Sequence, residues 1–373
     1  MEQLLQERTE LIFIRMLRNI DIDLIYQPLI DAPPGDVGNL RQRASAGDQV
    51  TCDSWRETWI KNFKLAKERF GNLGDHSFGK LHGINRHKPA IVIGSGPSLR
   101  YSIDALKENK TKKYPVLSIS ALHNFGYLED EGCHADYYLS LDSGGIVIDD
   151  VHESRNKDGG FYWEKTKGKK LIAYVASDPR LFDLWQGEIY LFNCLIPDHH
   201  IASEYAKTEN FTHYISAGGN AGGACMYTAK AIFGSSEIMY VGMDFCFDYN
   251  NQFHTYKTHY DKMGDFVLVT DVFGNLRKTW PSYLAFKFFL DDVAMKVPGK
   301  WTNCSEGILG SYTGGNIKAY TYKPLKEALT PYWMSEEVWW DVFNEKKELQ
   351  SRERVDLEEF FKQSTNDRHM VLF

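Results

Sequence analysis

From residue 89 onward, short apolar segments alternate with helical segments, and this alternation constrains the fold more than any other feature of the sequence. The apolar segments have the length and hydrophobicity of parallel strands that are covered on both faces. They are predicted at Ala90–Gly94, Val116–Ser120, Ala135–Asp142, Lys170–Ala176, Glu188–Asn193 and Glu237–Asp244. The helices between them are predicted at Leu99–Lys110, Ala121–Glu131, Pro179–Gln186 and Ala221–Phe233. The pattern is typical of an α/β protein with a doubly wound sheet.

The chain divides into three predicted regions. Residues 1–85 predict a mostly helical N-terminal region, broken by a loop at Asp31–Asn39 that is rich in proline, glycine and aspartate. Residues 86–325 contain the alternating pattern and predict a Rossmann-like domain with a mostly parallel sheet. Residues 326–373 predict a helical C-terminal extension. The expected architecture is therefore one α/β domain with helical N- and C-terminal appendages.

The composition argues against several classes of partner. The 373 residues carry a formal net charge of −7, which disfavours a nucleic-acid-binding surface. The six cysteines are scattered without a C-x-x-C pair, as in reduced proteins of the cytoplasm. The N-terminus does not resemble a signal peptide, and no segment reaches the roughly 18 uncharged apolar residues of a membrane span. The sequence thus predicts a soluble cytoplasmic protein. Two acidic pairs, Asp149-Asp150 and Asp291-Asp292, are predicted to face water.

The first candidate site follows the first predicted strand, in the sequence Gly94-Ser95-Gly96-Pro97-Ser98. The two glycines allow a tight turn, the proline presets the first helical position, and the second serine adds a hydroxyl. Because the amides at the start of a helix attract anions, these five residues are predicted to bind a phosphate. The alternative is a plain glycine turn between a strand and a helix. The motif lacks the third glycine of a dinucleotide-binding turn.

Two further candidate segments lie at the end of a predicted strand and at the start of a predicted helix. Asp142 and Ser143 follow a predicted strand, where a carboxylate can bind ribose hydroxyls, the edge of a base or a divalent cation. The alternative is that Asp142 caps the next helix. Gly218, Gly219 and Asn220 precede a helix, and glycines this dense let backbone amides approach an anion or a sugar. Close packing of the helix on the sheet is the alternative there.

The remaining candidates come later in the chain. Asp244 ends the last predicted strand and His254 lies in the loop after it, and either side chain can transfer a proton. These two are the predicted catalytic residues. A metal site formed by His254 and His259 is possible, but no further spacing supports it. A polar turn contributes three more residues that are predicted to line the same cleft, namely Asn303, Ser305 and Glu306.

An ordered set of motifs resembles one protein family. The motifs are GSGPSL at 94–99, LSLDSG at 139–144, AGGNAGG at 217–223, YVGMDF at 240–245, His254, and NCSEG at 303–307. Over residues 85–320 the chain resembles the 6-hydroxymethylpterin diphosphokinase MptE-like family, which includes the motility-associated-factor (Maf) flagellin glycosyltransferases. The first and fourth motifs are also similar to those of bacterial sialyltransferases that use CMP-sugars.

The resemblance implies a role for each motif. Gly94–Ser98 would hold the phosphates of a nucleotide, and Asp142 and Gly218–Asn220 would line the pocket for the nucleotide and the transferred group. Asp244 and His254 would lie nearest the chemistry. Asn220 departs from the pattern of the family, in which many members have a serine after the two glycines.

Three functions follow from the resemblance and the residues. The favoured one is a glycosyltransferase that moves a nonulosonic (sialic-like) acid from CMP to a hydroxyl acceptor on a protein or glycan, with no obligatory cofactor or metal. The second is a diphosphokinase that transfers diphosphate from ATP to a hydroxymethylpterin-like substrate with Mg²⁺, for which Asp142 and Asp244 would be the metal ligands. The third is a non-catalytic nucleotide-binding module. His254 and the NCSEG motif favour the first, and no clustered acidic metal site is evident in the sequence.

Overall fold

The structure is a computed structural model that describes residues 54–151, 160–194, 214–215, 219–255, 266–312 and 315–333. Nine strands form one parallel sheet in the order β13-β10-β7-β1-β2-β3-β4-β5-β6. These strands are β1 (Pro89–Ile93), β2 (Leu117–Ala121), β3 (Tyr137–Ser140), β4 (Lys170–Tyr174), β5 (Glu188–Cys194), β6 (Tyr214–Ile215), β7 (Glu237–Val241), β10 (Lys300–Asn303) and β13 (Tyr320–Tyr322). Two small antiparallel pairs lie outside the sheet, β8 (Val267–Thr270) with β9 (Leu276–Thr279) and β11 (Ser311–Tyr312) with β12 (Gly315–Asn316).

The helices flank this sheet. The first, α1, comprises residues 54–70. The others are α2 (Ile103–Thr111), α3 (Phe125–Glu131), α4 (Ile146–Asp149), α5 (Pro179–Leu184), α6 (Ala221–Tyr227), α7 (Pro281–Lys296) and α8 (Leu325–Leu329). Every residue of β1 and β7 is buried, because both faces of the sheet centre are covered. The predicted Rossmann-like α/β fold is confirmed.

The order of the strands reverses at β1. From β1 the chain adds β2 to β6 on one side, and it then returns to add β7, β10 and β13 on the other. In an open parallel sheet the crevice outside the carboxyl ends of the strands at such a switch point is where ligands bind. The fold therefore directs attention to the loops that follow β1 and β7.

All six predicted strands are present, and three of them end two or three residues earlier than predicted. The segments Ala135–Asp142, Lys170–Ala176 and Glu237–Asp244 form β3, β4 and β7, which stop at Ser140, Tyr174 and Val241. After β7 the backbone leaves the sheet at Gly242, whose φ of 62° is in the left-handed region. The residues beyond these strand ends form the loops at the switch-point edge.

One prediction about charge is wrong. Asp291 and Asp292 do not face water: they are 0 % and 2 % exposed on α7, a helix whose bounds the sequence did not predict. Each is paired within the helix, Asp291 with Lys287 at 2.5 Å and Asp292 with Lys296 at 2.7 Å. A buried carboxylate needs such a partner, and the i, i+4 spacing supplies it.

The C-terminal part of the described chain packs on the sheet rather than apart from it. Helix α8 contacts β7 and α2, and the hydroxyl of Tyr332 donates a hydrogen bond to the buried carboxylate of Glu237 at the start of β7. The predicted helices within residues 1–53 and at Ser335–Phe361 lie outside the described residues. Among the residues that are described, no helix has both the length and the apolar character needed to cross a membrane.

Candidate functional site

The turn after β1 packs directly against the loop after β7. A Cβ atom on Gly94 would lie 2.5 Å from the carbonyl oxygen of Gly242, and one on Gly96 would lie 2.5 Å from Oδ2 of Asp244. Gly96 has a φ of −61°, which any residue can adopt, so the close approach explains the glycine there and not the backbone conformation. The two glycines of the opening motif are therefore required by contact between the two loops.

Three of the amides expected to bind a phosphate are already bonded within the protein. The amides of Gly94, Gly96 and Ser98 donate to the carbonyl of Val241 at 2.8 Å, the carbonyl of Gly242 at 2.7 Å and the carboxylate of Asp244 at 2.6 Å. Gly94, Gly96, Pro97 and Ser98 are buried, whereas Ser95 is half-buried. Contrary to the expectation from the sequence, these three amides are therefore not free. Ser95 is the residue of the motif that reaches the surface.

The carboxylate of Asp244 lies at the start of the helical segment Pro97–Ser102, where the sequence predicts a bound anion. Its carboxylate accepts from both the amide and the hydroxyl of Ser98, and the residue is 3 % exposed. Burial raises the pKa of Asp244, and the two bonds from Ser98 oppose that rise. Because both carboxylate oxygens accept bonds from Ser98 and the side chain is buried, Asp244 ties the two loops together. Its catalytic role stays a prediction.

The residues of the NCSEG motif hold the same loops from the other side. Asn303 donates from its amide nitrogen to the carbonyl of Leu309 at 2.9 Å and accepts from the amide of Ser305 at 2.8 Å. The hydroxyl of Ser305 accepts from the amide of Met243 at 2.9 Å. Both side chains are buried and bonded, so they support the loop after β7 instead of facing a ligand. Glu306 is exposed and lines a cavity of about 120 Å³ beside Asp244.

Asp142 lies at the end of β3 and has a different environment from Asp244. Asp142 is exposed, yet desolvation by the surrounding protein raises its pKa. The carboxylate of Asp150 adds to that rise, and His123 opposes it. The carboxylate of Asp142 is therefore accessible to water and lies near the charged groups of Asp150 and His123. Ser143 beside it is buried, and its carbonyl accepts from the side chain of Asn62 on α1 at 3.0 Å.

His123 and His254 form a pair next to this carboxylate. Their rings are 4.8 Å apart, and Nδ1 of His123 is 2.8 Å from Oδ1 of Asp150. Burial and the neighbouring His123 lower the pKa of His254 to about 3, so its imidazole is neutral at physiological pH. The next residue, Thr255, donates from its amide to the carbonyl of Ser95 at 2.9 Å, which fixes the loop over the turn after β1. His259 lies outside the described residues.

The glycine-rich start of α6 reaches the same edge of the sheet. Helix α6 packs on β1, β2 and β3; its first two residues are half-buried, and Gly223 and Ala224 after them are buried. Asn220 caps the helix by accepting from the amide of Gly223 at 2.8 Å, which is the role of a helix cap. The side chain of Met243 lies between Gly222 of this helix and Gly94 of the first turn, since a Cβ on either glycine would meet it within 2.8 Å. Gly219 has a φ of 80°, and Gly218 lies outside the described residues.

The sequence reasoning missed two residues that the structure places in this cluster. His123 follows β2 by two positions and so lies at the carboxyl end of a strand, which is the rule that identified Asp142 and Asp244. Applying the rule to every strand end would have found it. Asp150 had no such signal, since its contact with His123 depends on how α4 turns back toward the sheet.

Comparisons with known proteins identify the family of the chain. A family model described as 6-hydroxymethylpterin diphosphokinase MptE-like matches residues 61–250. None of the curated proteins matches the chain. A solved structure of a MAf glycosyltransferase from Magnetospirillum magneticum AMB-1 is similar over 68 % of this chain, with 17 % identity and a TM-score of 0.48. The chain spans 38 % of the length of that protein. Since the family match covers just over half of the 373 residues, the chain belongs to the 6-hydroxymethylpterin diphosphokinase MptE-like family.

Proposed function

We propose that this chain is a transferase that binds a nucleotide-activated donor at the carboxyl edge of the sheet, between the start of α6 and Asp142. The observation that carries the proposal is Asp142 itself, an exposed carboxylate with a raised pKa near His123, whose ring in turn contacts that of His254. Perturbed carboxylates in a cleft are typical of proton transfer. The start of α6, whose first two residues are half-buried, supplies the positive end of a helix for the donor phosphate.

The favoured reaction is glycosyl transfer from a CMP-linked nonulosonic acid to a hydroxyl group. The acceptor oxygen attacks the anomeric carbon, and the bond from that carbon to the phosphate oxygen of CMP breaks. The proton of the acceptor hydroxyl moves to the carboxylate of Asp142, and the electron pair leaves with CMP. The helix start stabilises the negative charge that develops on the departing phosphate. His254, which is neutral, orients the hydroxyl by hydrogen bonding.

Diphosphoryl transfer from ATP is the second candidate, and the description of the matching family favours it. In that reaction a hydroxymethyl oxygen attacks the β-phosphorus of ATP and AMP leaves. Mg²⁺ would neutralise the phosphates, and such an ion is commonly held by one or two carboxylates together with the phosphates. Within the described residues no three His, Cys, Asp or Glu side chains form a metal-binding group. Asp142 is exposed enough to contact such an ion, whereas Asp244 is bonded to Ser98.

A nucleotide titration separates the two candidates. Thermal unfolding of the purified full chain is followed with CMP, CTP or ATP, each with and without Mg²⁺, because a ligand that binds the native state raises the unfolding temperature. Stabilisation by CMP without Mg²⁺ supports glycosyl transfer. If ATP with Mg²⁺ stabilises the chain and neither CMP nor CTP does, the result contradicts glycosyl transfer and supports diphosphoryl transfer. Binding of a nucleotide with no turnover of either donor class would favour a non-catalytic module.

A further inference from the structure

Four aromatic side chains form a continuous band beside the candidate site. The band consists of Phe253 in the loop after β7, Trp280 at the cap of α7, and Tyr283 and Phe286 on that helix. Successive ring centroids are 4.7, 5.0 and 6.1 Å apart. Most of these contacts are edge-on, with interplanar angles of 64° and 79° for the first two pairs. This geometry packs the rings against one another while leaving parts of their faces uncovered.

The band occupies the side of α7 that does not face the core. Leu284 and Phe288 on the same helix are 1 % exposed, whereas the four band residues are all half-buried. The outward side of an ordinary surface helix carries polar residues, since aromatic surface left in water is unfavourable. The band also packs inward, since Phe253 and Trp280 contact the buried ring of Phe247 and Tyr283 contacts Phe245. Packing does not account for the parts of the four rings that stay exposed.

The two ends of the band meet the two parts of the candidate site. At one end the ring of Phe253 lies 4.5 Å from that of His254. At the other end Phe286 packs over Gly219, where an added Cβ would lie 2.8 Å from the ring. The band therefore runs from the histidine pair to the glycine-rich start of α6, along the edge where the donor is proposed to bind.

We propose that the aromatic band is a subsite that stacks a planar ring of a substrate, either the base of the nucleotide donor or a heterocyclic acceptor. This inference rests on the proposed function, since the ring that would stack on the band belongs to a substrate of that same site. Aromatic faces bind planar rings by stacking without requiring a particular pattern of hydrogen bonds. Its position between His254 and α6 places a stacked ring within reach of both the histidine that orients the acceptor hydroxyl and the start of α6.

The test compares leucine variants that keep apolar volume and remove the aromatic face. Tyr283→Leu and Phe286→Leu alter the band, and Phe273→Leu is the matched control, because Phe273 is 66 % exposed in the β8–β9 turn outside it. Dissociation constants of the full chain are measured by calorimetry for CMP, for ribose 5-phosphate, which lacks a base, and for 6-hydroxymethylpterin, which lacks a phosphate. Thermal unfolding of each variant checks that it is folded.

We expect each band variant to weaken one ring compound by about tenfold or more, the scale of losing one stacking contact. Weaker CMP binding with unchanged ribose 5-phosphate binding assigns the band to the base, and weaker pterin binding with unchanged CMP binding assigns it to an acceptor ring. If CMP binds and both band variants bind every compound within about twofold of the parent chain, the subsite is wrong and the proposed function stands. If no nucleotide binds while pterin binding depends on the band, the proposed function is wrong and the subsite stands. Binding of neither ring compound to the parent chain overturns both, and an equal effect of Phe273→Leu overturns the subsite.

Discussion

Two aspartates at strand ends, Asp142 after β3 and Asp244 after β7, show how the surroundings of one residue type decide its role. Asp244 is buried and accepts two bonds from Ser98, so its carboxylate holds two loops together. Asp142 is exposed and lies near Asp150 and His123. The sequence pattern of each is a strand followed by aspartate, and it cannot distinguish the two because the difference lies in what the other loops place around them.

Replacing Asp142 by asparagine should stabilise the protein while it slows transfer. The raised pKa means that the folded state binds a proton more tightly than the unfolded chain does, so ionising Asp142 costs stability as the pH rises above its ordinary value of 3.8. Asp142→Asn removes that cost at pH 7. The gain in the free energy of unfolding should be less than about 1 kcal/mol, because the group is exposed. If Asp142 is the proton acceptor, transfer falls about 100-fold or more. Urea unfolding and a transfer assay measure the two effects.

The matched control is Asp149→Asn, which changes an exposed carboxylate on α4. It should alter neither transfer nor stability appreciably. Destabilisation by Asp142→Asn at pH 7 would contradict the raised pKa of Asp142, and an unchanged transfer rate would remove it from the chemistry.

His254 should make the stability of the protein fall as the pH drops below 6.5. Its pKa is about 3 in the folded state and 6.5 ordinarily, so below 6.5 the unfolded chain gains a proton that the folded chain does not bind. The stabilisation is complete above pH 6.5 and is lost at up to about 1.4 kcal/mol per pH unit toward the folded pKa. Urea unfolding at pH 7.0 and 5.5 should show a smaller difference for His254→Gln than for the parent chain. His82→Gln, at an exposed position, is the control, and an equal effect in both variants would argue that His254 is not buried as described.

At the scale of elements, the turns after β1 and β7 behave as one unit. Gly96→Ala should destabilise the protein by about 2–3 kcal/mol, because the added Cβ meets Asp244 and the carbonyl of Gly242 at 2.5 and 2.7 Å. Gly132→Ala is the contrasting control: Gly132 has a φ of 69° and open space around it, so only backbone strain of about 1 kcal/mol is expected. Denaturant unfolding compares them. A smaller loss for Gly96→Ala than for Gly132→Ala would show that the two loops do not pack closely.

The elements that the sequence predicts well are those with a local signal. Several of the six predicted strands are continuous apolar runs, and α5 begins with Asp178 as a cap before Pro179, so both kinds of element follow from short patterns. Strand β10 and helix α7 were not predicted as such. The residues Lys300–Asn303 include only one large apolar residue, and their strand state depends on pairing with β7. Helix α7 buries Lys287 and Asp291 as a pair. In the sequence, charged residues of this kind instead predict a segment that faces solvent.

The same distinction applies to the site. Asp142, Ser95, Asn220 and His254 were singled out by their positions after strands or before a helix, and the structure places them at one edge of the sheet. That three amides of the first turn are already bonded could not be inferred, because their partners are at Val241, Gly242 and Asp244, about 150 residues later in the chain. The role of each candidate in binding or catalysis stays a prediction.

At the scale of the whole molecule, the sheet continues past the segment that the family model matches. Glu237 at the start of β7 is 1 % exposed, and it accepts from Thr302 at 2.7 Å and from Lys300 at 2.8 Å on β10, and from Tyr332. The ring of Trp301 also stacks on Tyr240 at 6.2 Å. Residues 61–250 alone would leave a buried carboxylate without these partners, which is strongly destabilising.

A chain of residues 54–255 should therefore fail to unfold cooperatively on heating, whereas one of residues 54–333 should show a single cooperative transition. Circular dichroism at increasing temperature distinguishes them, and Glu237→Ala in the shorter chain tests the proposed cause. That substitution removes the buried carboxylate that has lost its partners, so it should make unfolding of the shorter chain more cooperative. Cooperative unfolding of the shorter chain would show that the family-matched segment is an independent folding unit.

The bond from Ser98 to Asp244 has an energetic consequence for any ligand that binds above it. A loop that becomes ordered only on binding loses roughly 1–2 kcal/mol of conformational freedom for each residue that is fixed. The turn after β1 is instead held by an internal carboxylate, by backbone bonds to the loop after β7 and by Thr255. This wall of the cleft is preorganised, so the binding free energy of a ligand there need not be spent on shaping it.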